Sequence, residues 1–560
     1  MDKVDGINYL IAMAEVLELL GEPAEKIQAY QAAADSVTAS TSYLWDQWLA
    51  GKGPAPEQIA PDISRTIYEN ARSGLATDLE ALILQIPPGL FGLIQLPSLN
   101  PTLVRRLWID GNIVSINQLE RACKRERVMN LTGFDRNRQN RLMREIVELR
   151  RSRNRWLRSE AEIFARAREE EIAGTKGLLR MKRAGELRRD LEAVSEIVWV
   201  IAADNPRLVM GRIGTIVGAS WSSEDQTDTI IIEVVDQPRE RLVVVTEAEF
   251  AARHWLETGT ESHTRAVLGE LCQAANPHLL PASENEIYER ASLSYIPPEL
   301  RENRGEIDAA KAGTLPTLIV PGDIKGVLHV HTNWSDGRES IYQMVERAAG
   351  LGWEYIGITD HSQAAFYTHG LTPERIILQR TAIEKVRVSF PEMRIFHGIE
   401  CDIQPDGQLD LPDSVLETLD FVIVSIHSVL QMERVAMTKR ILKGIRNPHA
   451  TMIAHPSGRL LLERESYPVD WDLVFDAAAE TGTVIEFNAR SERMDLDWRL
   501  IRNATKRGVL ICINPDAHGV SSLSCINDGI AIARKGWLTA DQVLNTKTGE
   551  QLNQWFERDF

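Results

Sequence analysis

The sequence predicts an α/β protein whose C-terminal part, from Gly326 onward, is a parallel barrel preceded by a helical region and a mixed α+β region. Three observations carry this. After residue 325, seven strand-like runs each lead into a helical segment, the alternation that builds a parallel sheet with crossover helices. Nine of the 12 histidines also lie after residue 325; five of them end those runs and a sixth begins inside one. Before residue 155, helical segments follow one another with only short Gly/Pro breaks between them.

In the first helix Ile11, Ala14, Val16, Leu17, Leu19 and Leu20 form an apolar face, and Gly21 ends it. Breaks follow at Gly51–Pro54, Pro87–Gly89 and Leu96–Pro97. The first hundred residues hold 13 acidic and five basic residues, which works against binding phosphate there. Between Arg121 and Arg158 the balance reverses, with 13 basic residues. That stretch could be a surface for a nucleic-acid backbone. It could equally be a solvated helix and linker, because Glu126, Glu145 and Glu148 are interleaved. Beyond it, Ile197–Ile201, Thr229–Val235 and Leu242–Val245 read as strands. Pro297–Pro298, Leu315–Pro316 and Pro321–Gly322 mark a linker. The seven runs of the barrel are Val327–Thr332, Tyr355–His361, Ile395–Asp402, Phe421–Ser428, Thr451–His455, Val484–Asn488 and Val509–Ile513.

Bulk properties narrow the function classes. A net charge of −17 requires any polyanion to be held by a local patch or by metal ions. Five scattered cysteines with no C-x-x-C pair argue against a disulfide framework or a thiolate zinc site, and fit a reducing cytoplasm. The N-terminus shows no signal-peptide pattern, and no apolar run approaches the ~20 residues of a membrane span.

Every strand of a parallel barrel opens its C-terminal end on one face, where active sites are built. The residues at those ends are His329 and His331, then Asp336 in the following loop, His361, Glu400, His427, His455, and Asp516 with His518. In an H-x-H pair on a strand both rings point to the same side. Imidazoles and carboxylates suit zinc, manganese and iron. Six histidines and three carboxylates exceed the needs of one ion and suit two or three. His369, His397 and His449 fall outside this set and read as structural.

At these residues the chain resembles the PHP family (polymerase and histidinol phosphatase), and within it the PHP domain that ends bacterial family X DNA polymerases. The motifs are Gly326–Thr332, Trp334–Gly337, Ile358–Ser362, Gly370–Thr372, Leu409–Pro412, His455–Leu460 and Asp516–His518. The resemblance implies a distorted seven-stranded (β/α) barrel and a trinuclear site. His329, His331, Glu400 and Asp516 would hold one ion. Glu400, His427 and His455 would hold a second, and Asp336, His361 and His518 a third. It implies two or three divalent ions, manganese or zinc first and iron as an option. Val327 stands where the family usually has Asp, at a position that is not a ligand. The catalytic set is expected to be Glu400, Asp516 and Arg459, the last as a phosphate clamp.

The preceding half resembles the rest of a family X polymerase. Tyr295–Ile307 matches that family's linker, and Phe250, Thr258–Gly259 and His263 match a palm-to-thumb segment. Gly185, Arg188 and Arg189 match the start of the nucleotide-binding strand. The three aspartates that such polymerases need are replaced by Glu196, Val198 and Arg241. A valine cannot ligate a metal and an arginine repels one. The glycines of the helix-hairpin-helix loops are missing at Ile59–Ile63 and Leu96–Asn100, where Pro61 and Pro97 have no N–H to donate.

The expected organisation is a helical domain at 1–80 that resembles the family X 8-kDa domain, a degenerate helix-hairpin-helix region at 81–158 and a degenerate palm/thumb-like region at 159–310. A linker at 311–325 leads to the PHP domain at 326–560. The expected function is hydrolysis of phosphate esters at DNA 3′ ends, by exonuclease or 3′-phosphatase action in DNA repair, with polymerase activity lost. Alternatives are a phosphatase of small phosphomonoesters and a non-catalytic DNA-binding module. Expected partners are DNA, through Arg121–Arg158, or a small phosphoester, and no membrane.

Overall fold

The computed structural model describes residues 3–557 except 41, 57–58, 74–76, 88, 95, 154, 219–220, 225–226, 235–236, 274–280 and 366–367. Val235 and the side chains of Glu148, Arg150, Arg151 and Arg153 therefore lie outside the described residues.

The helical region holds two packed clusters. Helix Lys3–Leu20 stops where Gly21 turns to φ +77, a left-handed conformation that glycine adopts without strain. Leu10, Met13 and Leu17 pack around the fully buried Trp45. Val16 and Leu19, on the neighbouring face, join a second cluster with Val104, Leu107, Leu119 and Ile146. The loop 96–100 differs from a phosphate-binding hairpin in a specific way. The Ser98 backbone N–H donates to Glu145 at 3.0 Å, and its hydroxyl donates to the same carboxylate. Asn100 caps the next helix by accepting from the Leu103 N–H at 2.9 Å. The chain's own oxygens thus occupy donors that a phosphate would need.

The mixed region is built on a five-stranded sheet of β1 (Leu178–Ala184), β2 (Glu196–Ala203), β3 (Trp221–Glu224), β4 (Thr227–Ile232) and β5 (Arg239–Thr246), in the order β1-β2-β5-β4-β3. Its central pair is parallel and sets Val198 beside Arg241.

The barrel comprises β6 (Gly326–Val327), β7 (Tyr355–Ile358), β8 (Arg394–Asp402), β9 (Phe421–Ser425), β10 (Met452–Ile453), β11 (Val484–Asn488) and β12 (Ile511–Asn514). All seven are parallel and in chain order. A bridge between Val330 and Ala517 nearly closes the ring. Two strands, β6 and β10, keep only two residues each of their apolar runs. After Val327 the chain curls so that the His331 N–H donates to Ala517 at 2.9 Å and the Thr332 N–H to Asp360 at 2.8 Å. His455, at φ +28, leaves the strand direction after β10.

Period-two alternation along β8 sorts the barrel. Ile395, Ile399, Cys401 and Ile403 lie under the helices, whereas Phe396 and the polar Glu400 and Asp402 face the interior. The strand beginnings Tyr355, Phe421 and Val484 pack with Leu552 and Trp555 of the helix Gly549–Phe556. That helix plugs one end of the barrel and leaves the C-terminal strand ends for the site.

The palm-like region is joined to the barrel by buried polar contacts. Glu192 accepts from the Trp498 indole at 2.9 Å and from Arg499 at 2.8 Å. The buried Lys535 donates to the Arg189 carbonyl and to Glu302, each at 2.7 Å. Among the described residues no helix is long and apolar enough to cross a membrane.

Candidate metal centre

The open end of the barrel gathers all nine sequence-predicted ligands. His329 and His331 follow β6, with Nε2 atoms 3.1 Å apart. Glu400, on β8, lies at the middle of the cluster. Its Oε2 lies 3.3 Å from His329, 3.4 Å from His331 and 2.9 Å from His361. Its Oε1 lies 2.8 Å from His455 and 3.3 Å from His427. Asp516 Oδ1 lies 3.3 Å from His331 and 3.7 Å from His329. Asp336 is 3.2 Å from His518 and 3.6 Å from His361. Three sets have ligand atoms mutually within 4.8 Å: His329, His331 and Asp516; His361, Glu400 and His427; and His331, Asp336, His361 and His518.

Further polar residues orient this shell. Glu486 on β11 lies 2.7 Å from His329 Nδ1 and accepts the His455 backbone N–H at 2.7 Å. Asp402 lies 2.7 Å from His427 Nδ1. Carboxylates behind a ligating imidazole fix its tautomer and its direction. Sequence reading missed both residues, although Asp402 and Glu486 sit on strands whose neighbouring positions are apolar.

Electrostatics favour a cation here. Burial would raise the Glu400 carboxyl, but His427, His329 and His361 outweigh it and hold the group well below its ordinary value. Burial, with His518 and His361 alongside, pushes His331 down to about 3. Burial and the nearby Arg493 do the same to His455. Both rings are therefore neutral at pH 7, the form that ligates a metal. Glu400 Oε2, His331 Nδ1 and His361 Nδ1 are buried without a hydrogen-bond partner. Two imidazole nitrogens facing each other, flanked by carboxylate oxygens, fit divalent ions of zinc or manganese type.

Arg459 does not reach the cluster. Its guanidinium donates to the Arg493 carbonyl at 3.0 Å, to Asp497 at 2.8 Å and to the Met494 carbonyl. It braces the loop after β11, and that loop carries two arginines to the site instead. Arg493 Nε and Arg490 Nη1 lie 3.6 and 3.7 Å from Asp516, and Arg493 Nε is buried without a hydrogen-bond partner. His397 points away from the cluster, with Nε2 3.1 Å from Gln379. His369 is exposed, and His449 lies in a turn.

Glu196, Val198 and Arg241, the positions expected to replace the polymerase aspartates, also meet on the five-stranded sheet. Val198 is buried. Arg241 contacts Glu196 at 3.1 Å and Glu257 at 2.8 Å.

The PHP domain family matches residues 328–534. Along its whole length the chain is 31% identical, over 576 aligned residues, to the DNA polymerase/3'-5' exonuclease PolX of Bacillus subtilis (strain 168), with 100% of each chain covered. A probable phosphatase of Acetivibrio thermocellus is 27% identical over 246 residues, which are 41% of this chain and 94% of that protein. A probable phosphatase of Thermoanaerobacter sp. (strain X514) is 32% identical over 170 residues, 28% of this chain and 66% of that protein. The chain therefore belongs to the PHP family, in the branch where a family X polymerase-like region precedes the PHP barrel, and it is a metal-dependent phosphoesterase.

Proposed function

We propose that this enzyme hydrolyses phosphoester bonds at DNA 3′ ends, as a 3′→5′ exonuclease or 3′-phosphatase serving DNA repair, and that its polymerase-like region no longer synthesises DNA. The observation that carries the reading is the cluster of nine donors, eight in the three sets and His455 against Glu400, beside Arg490 and Arg493, in a chain colinear with PolX throughout. The three donor sets support two or three ions, manganese or zinc first and iron as an option. The five free cysteines and the absence of an apolar span among the described residues fit a cytoplasmic enzyme.

Bound divalent ions would supply Lewis acidity at phosphoryl oxygens and make water acidic enough to attack at neutral pH. The chain's own residues do the rest. Glu486 and Asp402 hold His329 and His427 in their ligating tautomers. Arg493 and Arg490 take the clamp role expected of Arg459, because their guanidiniums border the cluster and that of Arg459 does not. Asp516 keeps the two arginines beside the donors. Basic residues between Arg121 and Arg158 contact the DNA.

Polymerase loss is supported by the Glu196–Arg241–Glu257 ion pair. Polymerase metals would require carboxylates free to bind them, and here an arginine cation holds two of them.

The test follows release from a 5′-labelled single-stranded oligonucleotide and from a small aryl phosphate, both in manganese. Stepwise 3′ shortening, abolished in His331→Ala, supports the nuclease reading. Turnover of the aryl phosphate alone, without competition by DNA, overturns it in favour of a small-molecule phosphatase. Relatives named as probable phosphatases, matched over 41% of this chain, favour that second reading.

A further inference from the structure

We infer that the helical region forms the outer wall of the metal cleft and that Arg121, Arg125 and Arg127 hold the backbone of a single-stranded nucleic acid there, behind the phosphate at the metals. This rests on the nuclease reading and narrows it. The cleft has a volume of about 560 Å³ and is lined on one side by metal-site residues such as Asp336, Glu400 and His518. The other side is lined by residues 111–127, more than 200 positions away in the chain.

Helix Ile116–Lys124 turns its apolar face, Leu119, Ala122 and Cys123, into the helical core. Its opposite stripe, Asn117 and Arg121, shares one face, and Arg125 follows as the residue that ends the helix. That stripe looks at the barrel. The Asn117 N–H donates to Glu463 at 3.2 Å, and Glu463 lies in the loop after His455. Arg121 is among the cations that help Arg490 hold the half-buried Glu492 carboxyl at about 2 against desolvation, which would raise it. Arg121, Arg125 and Arg127 are exposed.

These cations are conspicuous in a chain of net charge −17. A small phosphomonoester would be bound by the metals and by Arg490 and Arg493, and it would leave the far wall without a role. A strand continuing from the scissile phosphate presents further phosphates to that wall. The cleft volume is that of a site for one small ligand, so it admits a strand end and not a duplex. No Trp, Tyr or Phe lines it among the described residues, so its far wall lacks the aromatic platform on which successive bases stack. Recognition is therefore by charge and indifferent to sequence, with oligo-dT and oligo-U held alike.

The test uses the full chain with Arg121→Gln, Arg125→Gln and Arg127→Gln combined. The expected result is a fall of ~30-fold in oligo-dT turnover relative to aryl phosphate turnover. The log–log salt slope of oligonucleotide binding should drop by about 2, at ~0.7 per lost phosphate contact on a single strand. An unchanged ratio and slope overturns the proposal. So does an equal loss when Arg136, Arg138 and Arg141 are replaced instead, which would mark a diffuse basic surface. If wild type turns over aryl phosphate and no oligonucleotide, the nuclease reading falls. Oligonucleotide affinity measured on His331→Ala then decides the wall separately, with loss in the triple variant supporting it and no change overturning it.

Discussion

Arg241 bridges from β5 to Glu196 on the adjacent strand, 3.1 Å away, and reaches Glu257 at 2.8 Å with the same nitrogen. Under the proposed loss of polymerase activity, this cation stands in place of a polymerase metal. Purified protein with primed template, all four deoxynucleotides and magnesium or manganese should give no primer extension. A ladder of extended products would refute the loss of polymerase activity.

Glu400 Oε1 faces His427 and His455, and Oε2 faces His329, His331 and His361. Glu400→Gln should therefore lower bound metal by more than one ion per chain and cut turnover of every substrate at least ~10³-fold. Elemental analysis of the purified variant checks the first, and steady-state assays the second. Loss of a single ion would show that the carboxylate serves one side only.

Glu486 acts one step behind the metals, 2.7 Å from His329 Nδ1. Glu486→Gln should weaken metal affinity by ~10–100-fold, the usual effect of removing such a partner. Excess manganese should restore most of the activity. Failure of excess metal to rescue would mean that the variant damages the barrel itself.

Acid stability should fall in two windows. Burial, with Arg188 nearby, lowers His254 from 6.5 to about 4. The unfolded chain therefore binds a proton first, and stability is lost as pH drops from about 6.5 towards 4. Glu192 is lowered from 4.5 to about 2, burial being outweighed chiefly by Arg499 and Arg459. Its contribution, about 3 kcal/mol at most, is full above pH ~4.5 and is lost as pH falls towards 2. Urea unfolding across pH should show Glu192→Gln losing the lower window and keeping the upper one.

Gly398 and Gly357 make room for Phe421, whose ring lies 2.6 and 2.7 Å from where their Cβ atoms would stand. Phe421 in turn stacks on Phe556, with ring centroids 5.2 Å apart. Gly398→Ala should cost ~1–3 kcal/mol by overpacking, read as a lowered Tm. An unchanged Tm would show that the plugged end repacks freely.

The barrel and the cluster at its open end were legible because two local regularities coincide there. Strand-like runs alternate with helices, and polar residues fall at the C-terminal ends of the runs. The same alternation along β8 separates Glu400 from His397, so one becomes a ligand candidate and the other packs beneath a helix. Arg459 was expected at the site because it follows His455 closely in sequence, while its guanidinium is held by a loop some 35 residues later. Arg490 and Arg493 were invisible for the matching reason: nothing in a loop's own sequence tells where it folds. The placement of Arg121 and Arg125 opposite the metals depends on packing between segments hundreds of residues apart.

A ligand shared by several donor sets also ties the order of metal loading to side-chain order. A first ion would fix the torsions of His331 or His361, each of which belongs to two of the three donor sets. Later ions would then find part of the pocket already arranged, and the penalty for organising it would not recur. Metal uptake should be steep in concentration, with few chains partly filled, so the enzyme population would switch between empty and working states over a narrow range of free metal.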